Sequence, residues 1–500
     1  MHYVLPEPPR VDNLRTVAEL RGALEAAEFT VERIESTLGT GELSTRTVDV
    51  AVHALRLAGD DGFATLARLF LLGMAVDRTP AERALGVGSV EGLFALGLLG
   101  VAGREVRPTA RLVPHGDYYL ASDLAGDSLA HSPADWVPGV QAPSVTLAKL
   151  AVRVPADAAL DLGTGCGIQA LLAAKHCDRV VATDVNPRAL RFAAFNAALN
   201  DVQTIELRHG DVFEPVAGER FGLIVSNPPY VISPDSMHLY RDSGLPGDEI
   251  CRRIVEQAPG FLAEGGFAHL LVSWVHAEEG DWSDPLRDWV RESGCDAWLL
   301  HYKSEDPLTH AANWLGPLAS SRGEAHRAAL DRWVGYLRDA GVARIGYGAI
   351  VLRRRSGAAN WVRTDELPLD RLEAAGEHTL RVFGAADLLS GLDDVGALID
   401  ETLVLVGTHR LEQELVVRDR GPEVESQTLE LTDGLRFRAG LDRYAAALMR
   451  QLGSPRPLRE ALEHAGTELG LENGDRDRYS TAALEVVRRL LELGFLVRKP

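Results

Sequence analysis

The chain has 500 residues, an ordinary apolar share of 46% and a formal net charge of −20 at pH 7. That length suggests several domains of roughly 100–200 residues each, and the acidic balance works against non-specific binding to a phosphate backbone. Four cysteines, with no C-x-x-C and no His/Cys cluster at ligand spacing, exclude a disulfide scaffold and a metal site, and leave a protein expected in a reducing cytoplasm.

The first residues, 1–7, lack a basic region followed by an apolar core, so no signal peptide is expected. The longest apolar run, 66–76, contains Arg68 and is too short to span a bilayer. Residues 1–125 read as a separate, mostly helical module. Leu14, Val17, Leu20 and Leu24 recur at helical spacing, and helices are predicted over 45–57 and 62–73. A short helix pair over 80–85 and 89–98 follows, broken by Gly86 and Gly88. Residues 101–112 and 118–120 are then extended around the turn Pro114-His115-Gly116-Asp117. Helices followed by a hairpin suggest a winged-helix-like module that packs against a partner domain. His115, Tyr118 and Tyr119 are either substrate contacts or, more simply, turn and strand residues. Residues 126–143 are rich in Pro, Gly and Asp and read as a linker.

Residues 144–355 read as one α/β domain. Residues 158–162 form a strand, after which Gly163, Gly165 and Gly167 strip side chains from a turn. A helix is predicted over 168–174, a strand over 180–184 ending at Asp184, and a helix over 187–200 capped near Asn186. The next strand, 205–209, runs into Gly210-Asp211-Val212. The strand 221–226 runs into Asn227-Pro228-Pro229-Tyr230, and the loop 231–247 behind it is the natural substrate selector. A helix over 248–262, a buried strand over 267–274, a helix over 282–293 and a strand over 297–302 continue the alternation. Strand ends that converge on one ligand are the mark of a doubly wound sheet. Before the last strand, 344–353, stands a largely helical insertion, 304–342, carrying Trp314, Trp333 and Tyr336. It either borders the substrate cleft or buries its aromatics in a core of its own.

Asp184 lies about 20 residues beyond the glycine turn, where a carboxylate accepts hydrogen bonds from ribose hydroxyls. From Gly163 the template G-x-G-x-x-G fails at Ile168; from Gly165 the variant ending at Ala170 is met, so the loop alone admits a nicotinamide cofactor. Asn227-Pro228-Pro229-Tyr230 points elsewhere. The lone pair of an amide or aromatic amine nitrogen is delocalised, and two acceptors gripping its N–H groups would turn that pair toward an electrophile. Asn227 offers a side-chain carbonyl and Pro228 a backbone carbonyl, the prolines stiffen the turn, and Tyr230 offers a flat face for a planar substrate. With these four pieces in order, residues 142–355 resemble the class I S-adenosylmethionine (SAM) dependent methyltransferases, and within them the amino-methylating branch of HemK/PrmC-like enzymes and base N-methyltransferases. The resemblance implies a Rossmann-like sheet. It implies that Asp161, Gly163, Thr164, Gly165 and Gly167 bind the methionine part of SAM, Asp184 the ribose, and Asp211 and Val212 the adenine. Asn227, whose backbone lies near the cofactor, acts with Pro228, Pro229 and Tyr230 on the nitrogen that is methylated. A lead-in helix packs over SAM in related enzymes, which brings in Ser144 and Thr146.

Residues 356–500 read as an α+β module. Segments 402–406 and 414–418 are strand-like, 429–431 and 435–437 form a hairpin around Asp433-Gly434, helices cover 442–452, 457–469 and 481–494, and a strand ends the tail. This tail is again winged-helix-like. The expected function is SAM-dependent methylation of a planar nitrogen, most simply a protein glutamine. An RNA or DNA base fits the same motif, as does a peptide or small molecule. A non-catalytic SAM-binding protein is the alternative outside enzymes. The loop after Tyr230 offers Arg241 against Asp235, Asp242, Asp248 and Glu249, so a polyphosphate acceptor is expected to meet repulsion there and a polypeptide is not. No membrane partner is expected, and the sequence does not define an oligomeric state.

Overall fold

In a computed structural model, the chain is described over residues 6–39, 47–124, 133–235, 238–242, 244–316, 323–357, 359–368, 370–418 and 421–499. It divides into two compact units: Met1–Leu147 with Val154–Glu366, and Ala148–Arg153 with Leu367–Pro500.

The first unit is built on an eight-stranded sheet. Its strands are β1 (Ala156–Leu162), β2 (Cys177–Asp184), β3 (Ile205–His209), β4 (Phe221–Ser226), β5 (Leu262–His276), β6 (Cys295–Glu305), β7 (Arg344–Arg354) and β8 (Val362–Glu366). Their spatial order is β8-β6-β7-β5-β4-β1-β2-β3. β7 alone is antiparallel to its neighbours β5 and β6; the other pairings are parallel. Helices α1 (Ile168–Ala173), α2 (Pro187–Leu199), α3 (Glu249–Gln257) and α4 (Asp284–Val290) link the strands, and α5 (Pro307–Leu315) with α6 (Glu324–Asp339) fills the insertion between β6 and β7. Apolar runs such as Ala158-Ala159-Leu160 and Leu223-Ile224-Val225 make central strands because both faces are covered. This is the class I Rossmann-like arrangement, with a mixed sheet.

The chain winds from β1 out to β3 and then crosses back to place β4 on the other side of β1. Such a reversal opens a crevice at the carboxyl ends of the two central strands. Leu162 pairs with Ser226, and the Ser226 hydroxyl donates to the Leu162 carbonyl at 2.9 Å. The glycine turn and the Asn-Pro-Pro-Tyr segment therefore leave the sheet side by side.

Three expectations change. β8 falls in the segment assigned to the C-terminal module, yet it pairs with β6 from Ala297↔Val362 to His301↔Glu366, so the first unit runs to Glu366. Its alternating, polar-rich sequence hid it, as an edge strand needs no apolar run. The N-terminal module is not separate. Its apolar side (Leu20, Phe29, Phe70, Leu120) shares one core with Ile168 and Leu171 of α1 and Phe192 and Phe195 of α2. Its extended part is two hairpins: Leu99–Ala102 with Glu105–Pro108, and Ala110–His115 with Tyr118–Asp123. A turn at Gly103-Arg104 breaks what reads in sequence as one extended run. The last strand runs along α2, where Asn196 and Asn200 exchange hydrogen bonds with the main chain of Ala121 and Tyr119 at 2.7–2.9 Å. Of the supposed linker, 126–132 lies outside the described residues, and 133–143 is packed, with Trp136 and Val137 buried.

The second unit holds a helix, Gly376–Ser390, that the sequence reading left out, and a three-stranded sheet in the order Arg456–Pro457, Thr402–Leu405, Leu496–Arg498. Helices Arg443–Gln451, Leu458–Glu468 and Asn473–Glu492 cover a core of Leu448, Leu452, Leu462, Val487 and Phe495. A ribbon of His409–Arg418 and Gly421–Leu431 completes it. The return strand after Asp433-Gly434 is Arg438–Gly440, not 435–437: Arg436 has φ of 55°, so the turn is wider than the Asp-Gly pair suggests.

Candidate active site

A cavity of about 410 Å³ sits at the β1/β4 crevice, within the roughly 300–1,000 Å³ typical of small-ligand sites. Asp161, Gly163, Thr164, Gly165, Asp184, Asp211, Val212 and the whole Asn227-Pro228-Pro229-Tyr230 segment line it. Of the residues expected from the glycine turn, Asp184, Asp211-Val212 and the Asn-Pro-Pro-Tyr segment, only Gly167 is not in its wall. Gly167 caps α1 with φ of 89°, and a Cβ there would meet the Cβ of Ala193 at 3.1 Å. Its lack of a side chain lets α1 and α2 approach each other. Ser144 lines the cavity and Thr146 does not. His115 stands in the hairpin, where the Tyr118 hydroxyl donates to the Leu171 carbonyl at 2.8 Å and Tyr119 packs on Phe29. None of these three lines the cavity.

The carboxylates are held by the loop they serve. Asp161 Oδ2 accepts from the Thr164 hydroxyl (2.6 Å) and the Ala170 amide (2.9 Å). Burial pushes its acid up to about 7, against those two donors. Asp184 accepts from the Gly165 amide (2.9 Å) through one oxygen and from the Asn186 amide (2.8 Å) through the other. Burial raises its acid as well. Gly163 and Gly165, at φ of 76° and 55°, have no atom within 4 Å of where a Cβ would stand, so open space meets bare backbone. At the far end Val212 has φ of 45°, a strained conformation for a β-branched residue and one that clusters at ligand sites. Asp211 beside it pairs with Arg253 of α3 at 2.9 Å.

At the other end, Asn227 Oδ1 is buried and has no hydrogen-bond partner. A buried amide oxygen in that state is costly unless a donor arrives. Tyr230 is fixed by its carbonyl, which accepts from the Ser273 hydroxyl, and burial raises its phenol.

Two parts of the wall were missed or left open by the sequence. One is Trp136-Val137-Pro138-Gly139. It closes on Leu239 and Tyr240 through an edge contact of Trp136 with Tyr240 at 5.3 Å and a bond from the Leu239 amide to the Ala134 carbonyl at 3.0 Å. An apolar Trp-Val pair inside a Pro/Gly-rich stretch was the signal that this stretch is buried. The other is Trp314 of the insertion, which the sequence left open between the cleft and a core of its own; Trp314 lines the cavity, while Trp333 is buried in a core. The charge expected at the mouth also changes. Arg241 is buried and bonds Asp242 through two nitrogens, both at 2.9 Å. Asp235 pairs with Arg332, Glu249 pairs with Arg252, and Asp248 accepts from the Val275 amide. Three of the four carboxylates thus meet an arginine and the fourth, Asp248, a backbone N–H, so the charge at the mouth is smaller than the loop's own residues suggest.

Residues 141–278 match the family model of the methyltransferase small domain, and residues 26–109 match a domain of unknown function (DUF7059). A putative protein N5-glutamine methyltransferase of Methanocaldococcus jannaschii is 33% identical over 143 residues, covering 27% of this chain and 72% of that protein. The chain belongs to the methyltransferase small-domain family. As a member it takes SAM as methyl donor. Two bacterial relatives are a release factor glutamine methyltransferase of Xylella fastidiosa (38% identical over 128 residues, 23% of this chain and 46% of that one) and a ribosomal protein uL3 glutamine methyltransferase of Bradyrhizobium diazoefficiens (36% over 151 residues, 24% and 47%). The chain spans about half the length of these two. The donor fits the cavity: bare glycine backbone, a strand-end carboxylate and the strained Val212 line the same space. Among the described residues no cluster of His, Cys, Asp and Glu could hold a metal, and no helix is long and apolar enough to cross a membrane.

Proposed function

We propose that this chain transfers a methyl group from SAM to a planar amide nitrogen, and that the acceptor is a glutamine side chain of a protein. The observation that carries the reading is Asn227 Oδ1, buried without a partner in the wall that also holds the glycine loop. The names of the relatives support glutamine as the acceptor.

Bound SAM supplies an electrophilic methyl group. Gly163, Thr164 and Gly165, braced by Asp161, hold its amino-acid end; Asp184 takes the ribose, and Asp211 with Val212 the adenine. Gly167 supports the loop from behind. Asn227 Oδ1 accepts one N–H of the acceptor amide and the Pro228 carbonyl accepts the other. Pro229 keeps the turn rigid, and Tyr230 covers the flat face of the amide. Held in this way, the nitrogen presents its lone pair to the donor and releases its proton to water. Positioning and fixed dipoles carry the rate. The catalytic domain is 144–366. The flanking modules dock the protein partner. In the first, strand Val76–Asp77, helices Arg78–Leu85 and Val87–Leu96, and a strand pair beyond them follow the winged-helix order, with the first strand beside the last. The four cysteines are all buried free thiols, which supports a cytoplasmic setting.

The test is Asn227→Ala. Losing one positioned dipole is expected to lower methyl transfer by about 100-fold or more, while affinity for S-adenosylhomocysteine (SAH) changes far less. A variant that turns over at the wild-type rate refutes the assigned role.

A further inference from the structure

The insertion between β6 and β7 is tied to the acceptor loop at three separate points. His310 Nε2 on α5 donates to the Ile232 carbonyl at 2.7 Å. Trp333 Nε1 and Arg332 on α6 both donate to Asp235, each at 2.8 Å. The Gly247 amide donates to the Tyr336 hydroxyl at 3.2 Å. Ile232, Asp235 and Gly247 all belong to the loop that follows Tyr230. The same insertion sets Trp314 in the cavity wall, edge-on to Tyr230, with ring centroids 6.4 Å apart at 75°.

The ring of Trp314 is fixed by a consistent set of protons. Its Nε1–H donates to the Tyr347 hydroxyl on β7 at 3.1 Å. That hydroxyl in turn donates to His310 Nδ1, the nitrogen left bare when Nε2 carries the proton to Ile232. Burial pushes His310 down to about 4, so the ring is neutral at pH 7 and this tautomer holds. Tyr347 is itself buried, and burial raises its phenol, so its proton stays on.

We propose that Trp314 is a specificity-determining wall of the acceptor subsite, which with Tyr230 forms a slot for the flat head of the acceptor, and that Tyr347 and His310 are positioning residues for its indole. The inference rests on the amide-methylation reading above. The insertion pins the acceptor loop through bonds made within the chain itself. Two aromatic walls at right angles favour a narrow planar group on a slender stem over a bicyclic base.

The experiment uses the full chain as wild type, Trp314→Ala, Trp314→Phe and Tyr347→Phe. Each is titrated with SAH by calorimetry. Each is then given labelled SAM with N-acetylglutamine methylamide, and separately with a cell lysate whose protein and nucleic acid are counted apart. Trp314→Ala is expected to raise KM for the capped glutamine about tenfold, with SAH affinity unchanged, and Trp314→Phe to restore most of it. In the SAH complex the Trp314 indole N–H resonance, assigned by its loss in Trp314→Phe, is expected to shift on adding capped glutamine. The same resonance is expected to move upfield in Tyr347→Phe, which removes its acceptor. An unchanged KM in Trp314→Ala, or a Trp314 resonance that ignores the capped glutamine, overturns the proposal. If wild-type label enters nucleic acid and not protein, the glutamine reading fails. The wall then stands only if Trp314→Ala lowers that labelling about tenfold, and falls if it does not.

Discussion

Asp184→Asn isolates the contribution of one carboxylate to donor binding. Each oxygen of Asp184 already accepts one backbone N–H, from Gly165 at 2.9 Å and from Asn186 at 2.8 Å. The lone pairs left over are what a ribose diol can use. In the asparagine variant one oxygen becomes an NH₂ group that faces a backbone N–H. The amide can turn to keep either the Gly165 bond or the Asn186 bond, but not both. One charge-assisted acceptor is thus lost to the ligand, worth about 1.5–3 kcal/mol. At 1.4 kcal/mol per decade this is roughly a 10- to 150-fold rise in Kd for SAH. The free protein loses one backbone bond as well, so a modest fall in melting temperature accompanies it. Calorimetric titration of wild type and variant with SAH measures the first, and a thermal melt the second. A folded variant that binds SAH with wild-type affinity refutes the ribose role. Binding of NAD without SAH by the wild type refutes the donor site as a whole.

Two further outcomes follow from buried charge. Arg188 and Asp123 form an ion pair with side chains only 8% and 1% exposed, and Asp123 also accepts from the Val137 amide behind Trp136. Burial outweighs Arg188 and leaves the acid of Asp123 raised. Arg188→Met strands that carboxylate. Unfolding in urea is expected to show a loss of about 3 kcal/mol at pH 7.5, and a smaller one as the pH is lowered and protonation relieves the stranded charge. A loss that does not shrink as the pH is lowered contradicts the buried-charge account. Asp161 gives a second pH signature. Its acid stands at about 7 in the native chain, above the roughly 3.9 of an unfolded one, so the native state holds a proton that the unfolded state has released between those values. Its contribution to stability therefore falls as pH rises from 4 to 7. The ammonium of the donor favours the carboxylate form, so binding at pH 6 is expected to release a proton. Calorimetry in buffers of different ionisation enthalpy detects it; release that persists in Asp161→Asn shows that another group is responsible.

What could be read from the sequence followed from chemistry that is local in the chain. Gly163 and Gly165, Asp184, and Asn227 with its two prolines each end a strand, and a doubly wound sheet gathers strand ends at one crevice. The helix Pro187–Leu199 announced itself through Asn186, which does cap it, accepting from the Arg188 amide at 2.9 Å. What could not be read was non-local. Trp136 lies in a Pro/Gly-rich stretch, and only its fold-back onto Tyr240 makes it a wall. Trp314 is one of several aromatics in an insertion, and only the connection of β6 to β7 carries it to Tyr230. The pairing of Arg241 with Asp242, adjacent in sequence, turns a charge that seems free into a buried one. β8 is a polar edge strand whose identity lies in its partner, β6. The asparagines of α2 look like ordinary helix residues until the Tyr118–Asp123 strand supplies the backbone they bind.

The most direct test of glutamine methylation is the chemical form of the transferred methyl group. Purified protein and labelled SAM are added to a lysate of cells that lack the protein, and the labelled protein fraction is hydrolysed in strong acid. A methyl group on a side-chain amide leaves as methylamine, volatile once the hydrolysate is made alkaline, because hydrolysis splits the amide and returns unlabelled glutamate. The expected result is label in protein that is recovered as methylamine. Label that stays on an amino acid after hydrolysis, or label that survives protease and disappears with nuclease, would contradict it.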